Sequence, residues 1–264
     1  MDMPTNAFKR AIIEERTPIG TWLMSASTVA AEALGCVGFD FLVVDMEHVP
    51  IDVPHALSLL QAIAGTPAQP VVRLASNDPV LVKRAMDIGA QTLMFPFVQT
   101  AEEATLAVAA TRYPPLGARG FAAMHRASRY ATVPDYAQRA NDEACVIVQL
   151  ETPEAIARLE AIAAVPGVDA IFLGPGDLAA TSGHLGQVGH PDVQAQLRHC
   201  AQVCRRLRKP VGTVGPAPEM VKQFLEDGYS FVAVASDMGM MLRQAKEFLG
   251  RVREARTTPA GDGR

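Results

Sequence analysis

Cysteine is scarce: the 264 residues hold four. That excludes a disulfide scaffold. Cys36 and Cys145 sit inside apolar runs and read as packed thiols. Cys200 and Cys204 lie four apart beside His199, but no second Cys/His pair at ligand spacing completes a zinc site. Positive charge is not in excess either. Lys plus Arg is 24 and Asp plus Glu is 28, giving a formal net charge of −4. No basic field awaits a phosphate backbone, so no nucleic-acid partner is expected. The longest stretch without Asp, Glu, Lys or Arg, Val53 to Val72, is interrupted by His55, Gln61, Gly65, Pro67, Gln69 and Pro70. It does not read as a membrane span, and no membrane partner is expected. Met1 to Arg10 lack the apolar core of a signal peptide. Together these absences lead us to expect a soluble, cytoplasmic chain.

What is present is an even rhythm of short apolar runs. Hydrophobic residues are 49% and charged residues 20%, a globular composition. The runs are Gly20–Met24, Phe41–Asp45, Val71–Leu74, Thr92–Pro96, Cys145–Glu151, Ala170–Gly174, Pro210–Val214 and Phe231–Ser236. Nearly continuous apolar character predicts strands covered on both faces, as in a parallel sheet. Helical stretches lie between them. Thr152–Val165 opens on Thr-Pro-Glu, Pro79–Ile88 follows Asn-Asp and closes at Gly89, and Ala217–Asp227 closes at Gly228. Eight strand–helix repeats in about 250 residues predict a (β/α)8 barrel, one domain over residues 1–264. An open doubly wound sheet is the competing fold, but no G-x-G-x-x-G follows any run. Between the fourth and fifth strands, Tyr113 to Asn141 exceed what one helix needs, and read as a functional loop above the barrel mouth. The tail Thr257–Arg264 is expected to fray.

In such a barrel the active site lies at the C-terminal strand ends. The second strand ends in Asp45-Met46-Glu47-His48, the third near Arg73, the fifth in Gln149-Leu150-Glu151, and the sixth in Gly174-Pro175-Gly176-Asp177. Two carboxylates converging on one mouth repel unless a cation neutralises them. Glu151 and Asp177 therefore suit Mg2+ or Mn2+, with Asp177 as a helix N-cap the structural alternative. His48 is a candidate proton shuttle, or a loop histidine bonded to a neighbouring carboxylate. His55, His184, His190 and His199 have no comparable context. Arg73 offers a planar fork to a carboxylate or enolate, or forms an ion pair with Glu47 or Glu151. Asp45 reads as the residue that orients the loop after its strand. None of the five lysines falls at a strand C-terminal end, which disfavours Schiff-base chemistry.

Seven ordered motifs resemble one family. They are Asp45-x-Glu47-His48, Arg73-Leu-x-x-Asn77-Asp78, Gln91-Thr-Leu-Met-x-Pro96, Tyr113-Pro-Pro-x-Gly-x-Arg119-Gly120, Gln149-x-Glu151-Thr, Gly174-Pro175-x-Asp177-Leu and Ser236-Asp237. From about Ile19 to Leu249 the chain resembles the HpcH/HpaI metal-dependent (class II) pyruvate aldolases. The resemblance implies a (β/α)8 barrel whose last helix is exchanged between subunits of a homohexamer, a trimer of dimers. It implies reversible cleavage of 4-hydroxy-2-oxo acids to pyruvate and an aldehyde through a pyruvate enolate, with Mg2+, Mn2+ or Co2+. Glu151 and Asp177 would hold the ion. Gly176 and Asp177 would hold the pyruvate carboxylate, with Gln149 beside it and Val214 lining the substrate site. His48 would be the base, Arg73 would steady the enolate, and Asp87 would approach the histidine from a neighbouring subunit. The residues alone place Asp87 on a helix surface. Oxaloacetate decarboxylation, CoA-thioester lysis and a catalytically silent barrel are the alternatives. Gly176 stands where Ala or Ser is expected. Leu74-Ala75 and the Val-Pro-Ile-Asp after His48 also depart from the pattern, and leave the aldehyde open.

Overall fold

The computed structural model describes residues 1–257. The tail expected to fray lies outside the described residues, apart from Thr257. Eight strands pair in parallel in chain order and close into a barrel. They are β1 (Ile19–Leu23), β2 (Phe41–Asp45), β3 (Gln69–Arg73), β4 (Thr92–Phe95), β5 (Cys145–Leu150), β6 (Ala170–Leu173), β7 (Val211–Gly215) and β8 (Phe231–Ser236). The expected (β/α)8 fold is the observed one, with strand ends moved by one or two residues.

The continuous apolar runs have a plain cause. Phe41, Val43, Val71, Ile147, Phe172 and Phe231 point into the barrel and form its inner core. Leu42, Val44, Val72, Val146, Val148 and Ile171 alternate with them and pack against the helices. The N-terminal helix Ala7–Ile13 plugs the floor, its Phe8 ring edge-on to Phe41 at 5.2 Å and to Phe231 at 5.4 Å. Gly212 makes room there, since a Cβ on it would lie 2.2 Å from the Phe231 ring.

The same alternation carries polar groups inward at the other end. In β2 the inward series Phe41, Val43 continues to Asp45, and in β3 Val71 continues to Arg73. In β5 the series Cys145, Ile147 continues to Gln149 and on to Glu151. The register sets Asp45 directly opposite Arg73.

Three expectations are corrected. Thr152–Val165 is two short helices, Pro153–Ala157 and Leu159–Ala163. The break falls at Arg158 (φ −104°, ψ 7°), whose backbone N–H turns back to Ala155 O and Ile156 O. The segment after Tyr113 lies at the floor, not above the mouth. Its Ala127 N–H donates to Asp87 O (3.1 Å), and Tyr113, Val133 and Ala140 pack with Met3 near the chain's N-terminus. An apolar cluster drew this loop toward the floor, and its polar sequence hid that. Cys36 is exposed on the helix Thr28–Val37. Cys145, Cys200 and Cys204 are buried, and burial pushes the Cys200 and Cys204 thiols up to about 12.

The last helix, Asp237–Thr257, meets the barrel at β1 and β8 and then leaves Met241, Leu242, Phe248, Leu249 and Val252 exposed. Among the described residues no helix is long and apolar enough to cross a membrane.

Candidate active site

Asp45 organises the β2 side of the mouth. It is fully buried, and its two oxygens accept from Arg73 Nε (2.9 Å) and Nη2 (2.6 Å). Oδ1 also accepts from the backbone N–H groups of Glu47 (3.0 Å) and His48 (3.4 Å), so one carboxylate fixes both the loop and the guanidinium. Arg73 Nη1 lies 2.9 Å from Glu47 Oε2, a charge contact without hydrogen-bond alignment. The guanidinium stacks over the Trp22 ring at 4.3 Å. Arg73 is thus paired with Asp45 and Glu47 and not with Glu151. Burial raises the Glu47 carboxyl above its ordinary value, while Arg73 and His48 pull it down. His48 stands at the rim, its side chain 57% exposed and Nε2 3.9 Å from Glu47 Oε2.

The β5–β6 side holds the second cluster. Glu151 is 1% exposed. Its Oε1 accepts from the Phe97 N–H (3.1 Å), while Oε2 is buried with no partner. Phe97 presents that N–H from a left-handed backbone (φ 55°), a conformation costing roughly 1–3 kcal/mol. Burial pushes the Glu151 carboxyl up to about 8, and the neighbouring Asp177 carboxylate adds to the rise. Gly174 is required beside it, because a Cβ there would lie 2.7 Å from Glu151 Oε2.

Asp177 is not an N-cap. The helix Pro175–Thr181 starts from Gly174, with Asp177 in its first turn and no side-chain cap. The first-turn N–H groups of Gly176 and Asp177 have no intrahelical acceptor and face the same mouth. The single Thr181 hydroxyl proton is shared between the backbone oxygens of Glu151 (2.9 Å) and Asp177 (2.8 Å), which ties the helix Pro175–Thr181 to the end of β5. Space around Gly176 is open, so Ala or Ser would fit there. Gln149 is buried with Oε1 unpaired, and Val214 borders a cleft with Gly176. The barrel therefore gathers His48, Arg73, Gln149, Glu151, Gly176, Asp177 and Val214 at one end.

Asp87 is elsewhere. It ends the helix Pro79–Asp87 at the floor, bonded to Arg119 Nη2 (2.7 Å) and 3.8 Å from His125 Nε2. His184 and His190, which the sequence leaves without context, stack at 3.5 Å beside Asp192. Sequence reasoning missed Trp22 and the Phe97 amide, and placed Asp237 in a motif without giving it a role. Asp237 Oδ1 accepts from Met24 N (2.7 Å) and its Oδ2 from Ser25 N (3.1 Å), joining the end of β1 to that of β8. A bare indole or backbone amide in an unaligned sequence carries no signal of such contacts.

Residues 18–244 match the model of the HpcH/HpaI aldolase/citrate lyase family. The chain belongs to that family. It is 57% identical over 235 residues to 2-dehydro-3,6-dideoxy-6-sulfogluconate aldolase of Pseudomonas putida, covering 89% of this chain and 92% of that protein. It is 49% identical to 4-hydroxy-2-oxo-heptane-1,7-dioate aldolase of Klebsiella pneumoniae, covering 96% of each. The crystal structure of an HpcH/HpaI family protein from Burkholderia cenocepacia superposes with a TM-score of 0.92 at 42% identity, covering 94% of this chain and 100% of that one. An HpcH/HpaI protein with these relatives is a lyase of the aldolase kind.

Proposed function

We propose that this HpcH/HpaI protein is a divalent-metal-dependent aldolase that reversibly cleaves 4-hydroxy-2-oxo acids to pyruvate and an aldehyde. One observation carries the reading: a buried Glu151 whose Oε2 has no partner, set against Asp177 in a mouth that also holds Arg73. An orphaned carboxylate oxygen beside a second carboxylate fits an oxygen-ligated divalent ion. Glu151 and Asp177 would hold it, and Mg2+, Mn2+ or Co2+ would supply Lewis acidity toward the keto oxygen of the substrate.

The chain's own groups do the rest. The Gly176 and Asp177 N–H groups bind the pyruvate carboxylate at the helix start. Gln149 packs beside it from the barrel interior, and Val214 borders the methyl side. His48, exposed at the rim, accepts the proton of the 4-hydroxyl. The C3–C4 bond then breaks, its electron pair stays with C3 as the enolate, and the aldehyde departs toward solvent. Arg73 faces the charge that grows on the former keto oxygen. Asp45 already holds it in place, so little reorganisation is needed at the transition state.

Treatment with EDTA is expected to abolish turnover, and Mn2+, Co2+ or Mg2+ to restore it. Full activity in metal-free protein would rule the reading out. Proton release gives a second test. With Glu151 at about 8, the metal-free site is protonated at pH 7, and ligation must displace that proton. Calorimetry in buffers of different ionisation heat should therefore show about one proton released per ion at pH 7 and fewer at pH 9. The sign for stability follows. A carboxyl raised from 4.5 to about 8 favours the metal-free fold at low pH, and that contribution is lost as pH climbs through 8.

The proposed assembly is a homohexamer in which the helix Asp237–Thr257 is exchanged between subunits and Asp87 reaches the His48 of a neighbour. The exposed apolar side chains of that helix support it, as does the absence of Asp87 from its own barrel's mouth. Light scattering is expected to give six times the 28.2 kDa chain mass, and a monomer would refute the exchange.

A further inference from the structure

Two histidines that take no part in the proposed reaction come together outside the mouth. His184 lies on the segment between the helices Pro175–Thr181 and Pro191–Leu207, and His190 caps the second of them. Their rings stack with centroids 3.5 Å apart and planes 15° from parallel. Asp192, in the first turn of the same helix, brings a carboxylate to both. Its Oδ2 lies 3.4 Å from His184 Nε2 and 3.8 Å from His190 Nδ1. The three donor atoms all fall within 4.8 Å of one another.

Both separations are longer than a hydrogen bond. They suit a shared cation instead, because two corners of a tetrahedral zinc site with bonds of roughly 2.0–2.1 Å lie about 3.3 Å apart. His190 Nδ1 also accepts from the Asp192 N–H (3.3 Å), so it carries a lone pair, as a ligand must. That capping bond is long, and an ion would replace it. The segment is fixed before any ion arrives. His184 N–H donates to Ala179 O (2.7 Å), Gln187 N–H to His184 O (2.8 Å) and His190 N–H to Gln187 O (2.8 Å). Gln194 Nε2 holds the Val188 oxygen (2.9 Å).

The donor set differs from that of Glu151 and Asp177. Two imidazoles and one carboxylate favour Zn2+, Ni2+ or Cu2+, whereas a pair of carboxylates suits Mg2+ or Mn2+. A helix start opposes a cation weakly at an exposed end, and the full charge of Asp192 outweighs it. We propose that His184, His190 and Asp192 form a second metal site, for an imidazole-preferring transition ion of the Zn2+ class. Three protein ligands leave a position for water, and the partly exposed rings leave the ion open to solvent. The same segment carries Val188, which lines the cleft beside Gly176 and Val214, so an ion here pins one wall of that cleft from outside. The site does not depend on the aldolase reading.

The test titrates Zn2+ by calorimetry, in excess Mg2+, into the full chain carrying Glu151→Gln and Asp177→Asn, which removes the carboxylate pair. One Zn2+ per chain is expected. In that background His184→Gln and His190→Asn should each weaken Zn2+ by more than the roughly 10- to 100-fold that loss of an outer hydrogen-bond partner of a metal ligand costs. Asn at position 190 still caps the helix, so the fold is kept. Asp192→Asn alters a side chain that is 72% exposed and should weaken Zn2+ without any cost to folding. Ligation needs neutral imidazoles, so Zn2+ affinity should also fall between about pH 7.5 and about pH 5.5. Zn2+ should raise the melting temperature of the parent and not that of the three variants. Zn2+ binding that all three substitutions leave unchanged would overturn the proposal, as an adventitious ion held elsewhere. So would the absence of binding at millimolar Zn2+, or its displacement by Mg2+.

Discussion

Arg73→Ala is expected to depress aldol cleavage and oxaloacetate decarboxylation together, by at least the roughly 10²–10³-fold that loss of one oxyanion donor costs. On the proposed mechanism both reactions pass through the pyruvate enolate, and Arg73 would face its oxygen. The substitution acts on the fold as well. Arg73 is 7% exposed and bridges the fully buried Asp45 to Glu47. Removing it strands a buried carboxylate, a loss of about 3–5 kcal/mol for a broken buried pair. Rates must therefore be taken per folded enzyme, below the melting temperature of the variant. Arg73→Lys keeps the charge but cannot reach both Asp45 oxygens as a fork, so partial recovery is expected. The decisive measurement is exchange of pyruvate methyl protons in deuterated solvent, which reports the enolate without any aldehyde. If Arg73→Ala exchanges as fast as wild type while cleavage falls, the arginine acts on the aldehyde half instead.

His48→Ala should lower cleavage by roughly 10²–10⁴-fold, the range for a general base. Here the fold is expected to stay intact, because the side chain is 57% exposed and, among the described residues, Nε2 has only the distant Glu47 carboxylate at 3.9 Å. Melting temperature and pyruvate affinity should match wild type, since the proposed pyruvate contacts lie on the β5–β6 side. That pairing of a large rate loss with unchanged stability contrasts with Arg73, where both fall. Near wild-type turnover in His48→Ala across pH 6–9 would show that the 4-hydroxyl proton leaves by another route.

The contrast between the two residues shows where sequence reading stops. Both stand out as polar residues after apolar strands. Nothing local says that Arg73 is clamped by a carboxylate 28 positions earlier, as the strand register makes it. Nor does anything local put Trp22 under the guanidinium. The ion pair left open between Glu47 and Glu151 resolves only once Arg73 is seen to lean toward β2. For Asp177 the N-cap alternative fails because the cap position falls three residues earlier, at Gly174, whose missing Cβ admits Glu151.

By itself the sequence determined the barrel and most of the mouth. Strands buried on both faces must be apolar throughout, and acids that interrupt such runs at their ends are confined to one rim, so eight strands and the polar residues at their ends are legible from residue order. Tertiary structure decided the rest. The loop after Tyr113 went to the floor because its few apolar residues found Met3, and the helix Asp237–Thr257 left its apolar side chains exposed. The raised Glu151 carboxyl also depends on neighbours distant in the chain. Burial and proximity are properties of packing, and packing joins residues that no local pattern connects.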